Sequence, residues 1–203
     1  MRKFKFKLNR GMTYVELIVV LSIFSIMSSV IIFNHKNFQA KIDIKNLAND
    51  IALQIVQAQK GALTGLWSNG AGVDWKPAYG VYFNPSASLD TDGIAFNKKF
   101  IYFADLDNGN DYDGLSSCSG ECLSKINITK GNFISGFTKT GGSGTCSSNT
   151  DLNAVFTRPD ASAKISANLS ACTLISDAEI TISSSNAVTA KIKINAFGKV
   201  QIN

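Results

Sequence analysis

Residues 17–33, LIVVLSIFSIMSSVIIF, form an apolar run with no charged side chain in it. At about 1.5 Å of rise per residue, a helix of that length crosses most of a bilayer core. No small-x-small cleavage motif follows the run, so it reads as a retained span over about residues 14–33 and not as a secretory leader. The pattern then becomes one-sided. Phe38, Ile42, Leu47, Ile51, Ile55 and Ala58 recur at three-to-five-residue steps, while Lys36, Lys41, Asp43, Lys45, Asp50, Gln54 and Gln57 supply polar positions. No proline precedes Pro77. The two patterns therefore join into one helix over 12–64, about fifty residues and on the order of 75 Å long.

Beyond residue 65 the period falls to two. Short runs rich in aromatic and β-branched residues lie at 78–83, 99–105, 125–129, 132–137, 152–158, 178–183, 188–195 and 198–203, separated by Gly, Ser, Asn and Asp. Strand follows strand with no helical pattern between them. The expected class is α+β: a long N-terminal helix, then an antiparallel β-sheet or β-sandwich domain over 65–203.

Charge changes the picture at one end only. The net charge is +5, but Arg2, Lys3, Lys5, Lys7 and Arg10 all precede Gly11 with no acid among them. The remaining fifteen Lys and Arg balance the fifteen Asp and Glu. The basic excess thus bears on membrane orientation and gives no support to a polyanionic partner. Cys118, Cys122, Cys146 and Cys172 all lie beyond the span; in an exported domain they read as disulfides, preferably Cys118 with Cys122 and Cys146 with Cys172. Zinc is the competing reading, which isolated cysteines without a nearby histidine fit poorly.

One carboxylate, Glu16, stands at the head of the apolar run, in the stretch Gly11-Met12-Thr13-Tyr14-Val15-Glu16 followed by LIVVLSIFSIM. This resembles the signal of type IV pilins and their relatives: a basic leader, a glycine, the future N-terminus, and a glutamate leading an apolar helix. The resemblance implies that residues 1–11 are a leader cleaved after Gly11 by prepilin peptidase, and that Met12 is then N-methylated. It also implies that Glu16 meets the terminal amine of a neighbouring subunit. The alternative for Glu16 is snorkelling to the interface near a helix N-terminus. Phenylalanine is commoner than methionine as the first mature residue, and the missing proline in the apolar run leans toward a minor subunit. The aromatic strand entering DLDNGNDYDG and the closing INAFGKVQIN are similar to GspH/FimT-type minor pseudopilins and minor pilins.

The resemblance implies a structural subunit of a type II secretion or type IV pilus filament. Its partners would be other pilin or pseudopilin subunits, prepilin peptidase and the cytoplasmic membrane, with the C-terminal domain extracytoplasmic. Two alternatives are a FimT-like minor pilin that binds DNA through Lys98, Lys99, Lys125, Lys130, Lys139, Arg158 and Lys164, and an unprocessed anchored surface domain. Asp105, Asp107, Asp111 and Asp113, interleaved with Asn and Gly, suit either a calcium loop, Ca2+ being the one cofactor suggested, or a solvated turn capped by its own side chains. His35 is the only histidine, so neither a Ser-His-Asp nor a His-metal site has a foundation, and no enzyme is expected. Trp67 and Trp75 read as packing residues.

Overall fold

The computed structural model describes residues 11–68, 71, 76–114, 118, 120–141, 151–159, 162–167 and 175–203. The chain divides into two compact units, Met1–Gln39 and Ala40–Asn203. One helix, α1 (Tyr14–Thr64), is 51 residues long. Nine strands follow it: β1 (Ala78–Phe83), β2 (Lys99–Asp105), β3 (Cys122–Asn127), β4 (Phe133–Thr140), β5 (Leu152–Phe156), β6 (Ala163–Ser166), β7 (Asp177–Ser183), β8 (Thr189–Asn195) and β9 (Val200–Ile202). A long N-terminal helix followed by antiparallel sheets is the α+β class that the patterning predicts.

Both ends of α1 are made by specific local bonds. Thr13 precedes the first helical residue, and its Oγ1 accepts the Glu16 N–H at 3.3 Å, the donor half of a Thr-x-x-Glu cap. At the other end the Gly65 N–H donates to the Ala62 carbonyl and the Leu66 N–H to the Gly61 carbonyl, both at 3.1 Å, as in a Schellman turn. Gly65 sits at φ 61°, which favours glycine, and the Arg158 guanidinium lies against the space where a Cβ would stand. Arg158 thereby sets a cation at the negative end of the helix dipole.

In the first unit, Leu17, Val20, Phe24, Met27 and Val30 are exposed, and none of the most apolar 18-residue window of the helix is buried. This helix is long and apolar enough to cross a membrane. Within it the Ser22 and Ser25 hydroxyls donate to the Val19 and Leu21 carbonyls, each at 2.8 Å, so neither hydroxyl is left unpaired in an apolar setting.

In the second unit the helix buries Ile44, Ala48, Ile51, Ile55, Ala58 and Ala62, at steps that alternate four and three. This corrects the expected stripe. Phe38 is 60% exposed and Ile42 38%, and Leu47 is only partly buried. A five-residue step from Ile42 to Leu47 turns about 140° around a helix, so the two cannot share a face. Three of the true contact positions are alanines, whose small side chains weaken the hydropathy signal.

The strands form two antiparallel sheets, ordered β3-β2-β1-β5-β6 and β4-β7-β8-β9. The helix seam, one face of each sheet and the residues between them enclose a single core that includes Tyr79, Phe83, Phe100, Phe156, Ile180 and Ile192. β7 and β8 are one-sided: Ala178, Ile180, Ile182, Ile192 and Ile194 point in, while Lys191 pairs outside with Glu179 at 2.7 Å. β1, β2 and β5 are covered on both faces. Their second face carries Ala78, Ile101, Phe103 and Val155, packed with Tyr82, Tyr112 and Cys122. Gly80 leaves room on this face for Phe103, whose ring lies 2.7 Å from where a Cβ would stand.

The sequence pattern misses one strand. β6 is only four residues long, with buried Ala163 and Ile165 flanking exposed Lys164, and nothing in that composition separates it from a loop. The corrected helix stripe makes a direct prediction: Ile51→Ala lowers the stability of the folded unit by about 2–5 kcal/mol, whereas Ile42→Ala changes it by less than about 1 kcal/mol. Denaturant midpoints of the two variants, compared with the parent chain, check it.

Candidate functional site

The N-terminal signature residues are placed by the helix cap. Gly11 and Met12 lie before α1, with Met12 60% exposed. Glu16 falls in the first turn, where a negative charge suits the helix dipole. The cap uses the backbone N–H of Glu16 and not its carboxylate. Tyr14, Val15 and Leu17 around it are exposed, so the head of the helix presents an apolar surface interrupted by one acid.

The acidic loop between β2 and β3 is arranged differently from the expected four-aspartate set. Asp105, Asp107 and Glu121 have carboxylate oxygens within 4.8 Å of one another. Glu121, which the sequence reading leaves out, joins Asp105 and Asp107 in this group, while Asp111 and Asp113 lie near Asp107. Glu121 lies just before β3, and the pairing of Phe103 with Cys122 brings it back against the end of β2. A search confined to one loop misses it; the sequence signal is the hairpin itself, since paired strands return the residue before β3 to the residue after β2.

Each of the three carboxylates is turned toward backbone donors. Asp105 accepts the Asn108 N–H at 2.7 Å and the Asn110 N–H at 3.0 Å. Asp107 accepts the Gly109 N–H at 2.8 Å, and Glu121 accepts the N–H groups of Leu106 at 2.7 Å and Asp113 at 3.1 Å. Asn108 and Asn110 occupy the left-handed region at φ 69° and 64°, which asparagine tolerates better than most residues. These bonds make a self-capped turn and occupy part of the oxygen capacity that a calcium ion would need. The turn is also tied to β6: the Ser166 hydroxyl donates to the Asn110 carbonyl at 2.9 Å, and Lys164 donates to the Asn110 side chain at 3.0 Å. Tyr112 reaches over the outer face of the sheet, its ring 5.2 Å from Tyr82 and 5.3 Å from Phe103.

Burial raises the carboxyl pKa of Asp105 and Glu121 above the usual range, against the pull of their backbone hydrogen bonds. Asp111 is raised too, first by burial and then by the nearby charges of Asp113 and Asp107. Asp107 is held low, chiefly by the Gly109 N–H. Burial and the Glu121 charge push the Tyr112 hydroxyl up to about 12.

Cys118 and Cys122 form the expected disulfide, with Cα atoms 4.9 Å apart, and it closes the far side of the same loop. Cys146 and Cys172, with Trp75, lie outside the described residues. Trp67 is 59% exposed, so it does not pack in the core, and His35 is exposed.

The basic residues considered for nucleic acid are largely committed elsewhere. Lys99 is buried against Asp90 and lies 3.2 Å from Asp92. Lys125 pairs with Asp92 at 2.5 Å and Lys130 with Asp43 at 2.7 Å. Arg158 lies against the Gly65 turn, and burial lowers the pKa of Lys139.

The loop pKa directions set a pH dependence. For Asp105, Asp111 and Glu121 the folded pKa is raised, so their contribution is fully present below the unfolded value and is lost as pH rises through the folded one. Asp107 and Asp92 are lowered, so theirs is present above the unfolded value and lost as pH falls through the folded one. Thermal stability should therefore fall as the pH rises from about 4, where free carboxyls titrate, through the raised folded values of Asp105, Asp111 and Glu121, and the contributions of Asp107 and Asp92 are lost in stronger acid. Asp105→Asn should flatten the fall on the alkaline side; melting curves from acid to neutral pH check both slopes.

Comparison with protein-family models, with curated proteins and with solved structures finds no match to this chain.

Proposed function

We propose that this chain is a membrane-anchored structural subunit of the pilin type, a minor pilin or pseudopilin of a type IV pilus or type II secretion filament. The observation that carries the reading is one juxtaposition: Gly11-Met12 and Glu16 stand at the head of a 51-residue helix whose first half is apolar on every side and exposed. Cleavage after Gly11 removes the leader and creates an α-amino group at Met12, which is then methylated. The basic leader keeps the N-terminus on the cytoplasmic side, so the β domain is exported, where a Cys118–Cys122 disulfide is stable.

A carboxylate near the membrane surface is costly without a partner. The amine of an adjacent processed subunit supplies one. Two unit charges about 4 Å apart attract by roughly 4 kcal/mol at an effective dielectric of 20, enough to favour one register between packed helices over others. The apolar flanks of Glu16 supply the area and the ion pair supplies the register. The dispersal of the β-domain lysines into local pairs supports a structural subunit over a DNA-contacting one. Calcium enters only as a stabiliser of the 105–121 loop. A calcium-induced rise in melting temperature that disappears in Glu121→Gln would assign the acidic trio as its site; an unchanged midpoint would leave the loop as a self-capped turn.

In a strain that assembles the filament, Glu16→Ala should be cleaved and inserted like the parent, yet its recovery in sheared filaments should fall by about tenfold or more, equivalent to at least about 1.4 kcal/mol. Immunoblotting of membrane and filament fractions reads both quantities. Parental recovery of Glu16→Ala would return Glu16 to an interfacial role.

A further inference from the structure

The connection between β1 and β2 folds into a small hairpin whose tip carries Asp90 and Asp92. The Asp90 N–H donates to the Ile94 carbonyl at 3.1 Å and the Gly93 N–H to the Asp90 carbonyl at 2.9 Å, and the tip is laid against Lys99, the first residue of β2. Lys99 and Asp90 have side chains only 2% and 1% exposed, with Nζ in contact with Oδ2 of Asp90. Three further groups converge on the pair. Oδ1 of Asp90 accepts the Thr91 N–H at 2.5 Å and the Thr91 hydroxyl at 3.2 Å. Both oxygens of Asp92 lie 3.2 Å from the same Nζ, and the Phe96 ring centre is 5.1 Å from it.

This is the set of groups that an amide-forming condensation requires. From these contacts we propose that Lys99 and Asp90 are joined by an intramolecular isopeptide bond, formed without an enzyme. Transfer of one ammonium proton to Oδ2 of Asp90 gives a neutral amine beside a carboxylic acid. The amine lone pair then attacks Cγ of Asp90. Negative charge develops on Oδ1, where the Thr91 N–H and hydroxyl already point, as donors do in an oxyanion hole. The C–Oδ2 bond breaks and the second nitrogen proton passes through Asp92 to the departing oxygen, which leaves as water. The overall change is ammonium plus carboxylate giving amide plus one water, with no oxidant, reductant or net proton.

The adjacency is maintained whether or not the bond has formed, so reaction is limited by chemistry and not by encounter. Once formed, the bond fastens the hairpin tip to the edge of the β2 ladder. Lys125, across the β2–β3 pair, holds Asp92 in place at 2.5 Å. The proposal does not depend on the filament reading.

The test is peptide mapping of the full chain, reduced and digested with trypsin. The predicted result is that the peptide ending at Lys98 is joined through Asp90 to the peptide beginning at Lys99. The combined mass should be about 18 Da, one water, below the sum of the two, with no cleavage after Lys99. Lys99→Arg, which keeps a cation but cannot form this amide, should show separate peptides of unaltered mass. Separate peptides and cleavage after Lys99 in the parent chain would overturn the proposal. A water loss confined to the Asp92-Gly93 peptide without joining would also overturn it, since that marks a cyclic imide. The readout is made on the parent chain, so it does not depend on the variant's folding.

Discussion

The structure depends on a single helix meeting two environments without a break in its backbone. Over 51 residues no proline interrupts the hydrogen-bond ladder, and the caps at Thr13 and Gly65 define its ends. What changes along it is the side-chain surface alone. The first half is apolar all round, with the Ser22 and Ser25 hydroxyls turned back onto carbonyls. The second half narrows to a seam of isoleucine and alanine that forms one wall of the β-domain core. A helix that is hydrophobic on every face needs cover from lipid or from other helices, and the described chain supplies none for residues 14–31. A membrane span would meet that demand, and the helix is long and apolar enough to be one.

The β domain solves a different problem. The central strands β1, β2 and β5 of its five-stranded sheet are buried on both faces, yet only one face meets the helix seam and the main core. The other is roofed by loops, and loops carry polar backbone that must be satisfied. The β1–β2 hairpin does this with Asp90, Asp92, Lys99 and Lys125; the β2–β3 loop does it with Asp105, Asp107 and Glu121 and the Cys118–Cys122 bridge. The charged clusters of this domain are thus located where coil has to lie on sheet. The same fact means that the charges of Lys99, Lys125 and Lys130 are met locally.

Much of this was legible in the sequence. The helix, its extent, the antiparallel class and most strands follow from periodicity, because a long proline-free apolar run and alternating β-branched residues leave few alternatives. The contact stripe was less legible. Alanines at 48, 58 and 62 carry little hydropathy signal although they set how closely the helix approaches, so larger residues such as Phe38 and Ile42 draw the eye to the wrong face. Glu121 escaped because it joins the acidic loop through strand pairing and not through proximity in sequence. The pairing of Asp90 with Lys99 escaped for a similar reason: a lysine opening a strand normally faces water, and only the folded-back hairpin buries it. The Gly11 to Glu16 motif is legible as a pattern, while its use depends on processing and neighbours.

Filament entry would turn on what the cell makes of residues 11 to 16. The most direct measurement is the mass of the N-terminal peptide of the chain recovered from membranes of cells with an active prepilin peptidase. A pilin-type subunit should begin at N-methylated Met12, with residues 1–11 gone. A chain that still begins at Met1 would refute processing and leave a simple anchored surface domain in its place.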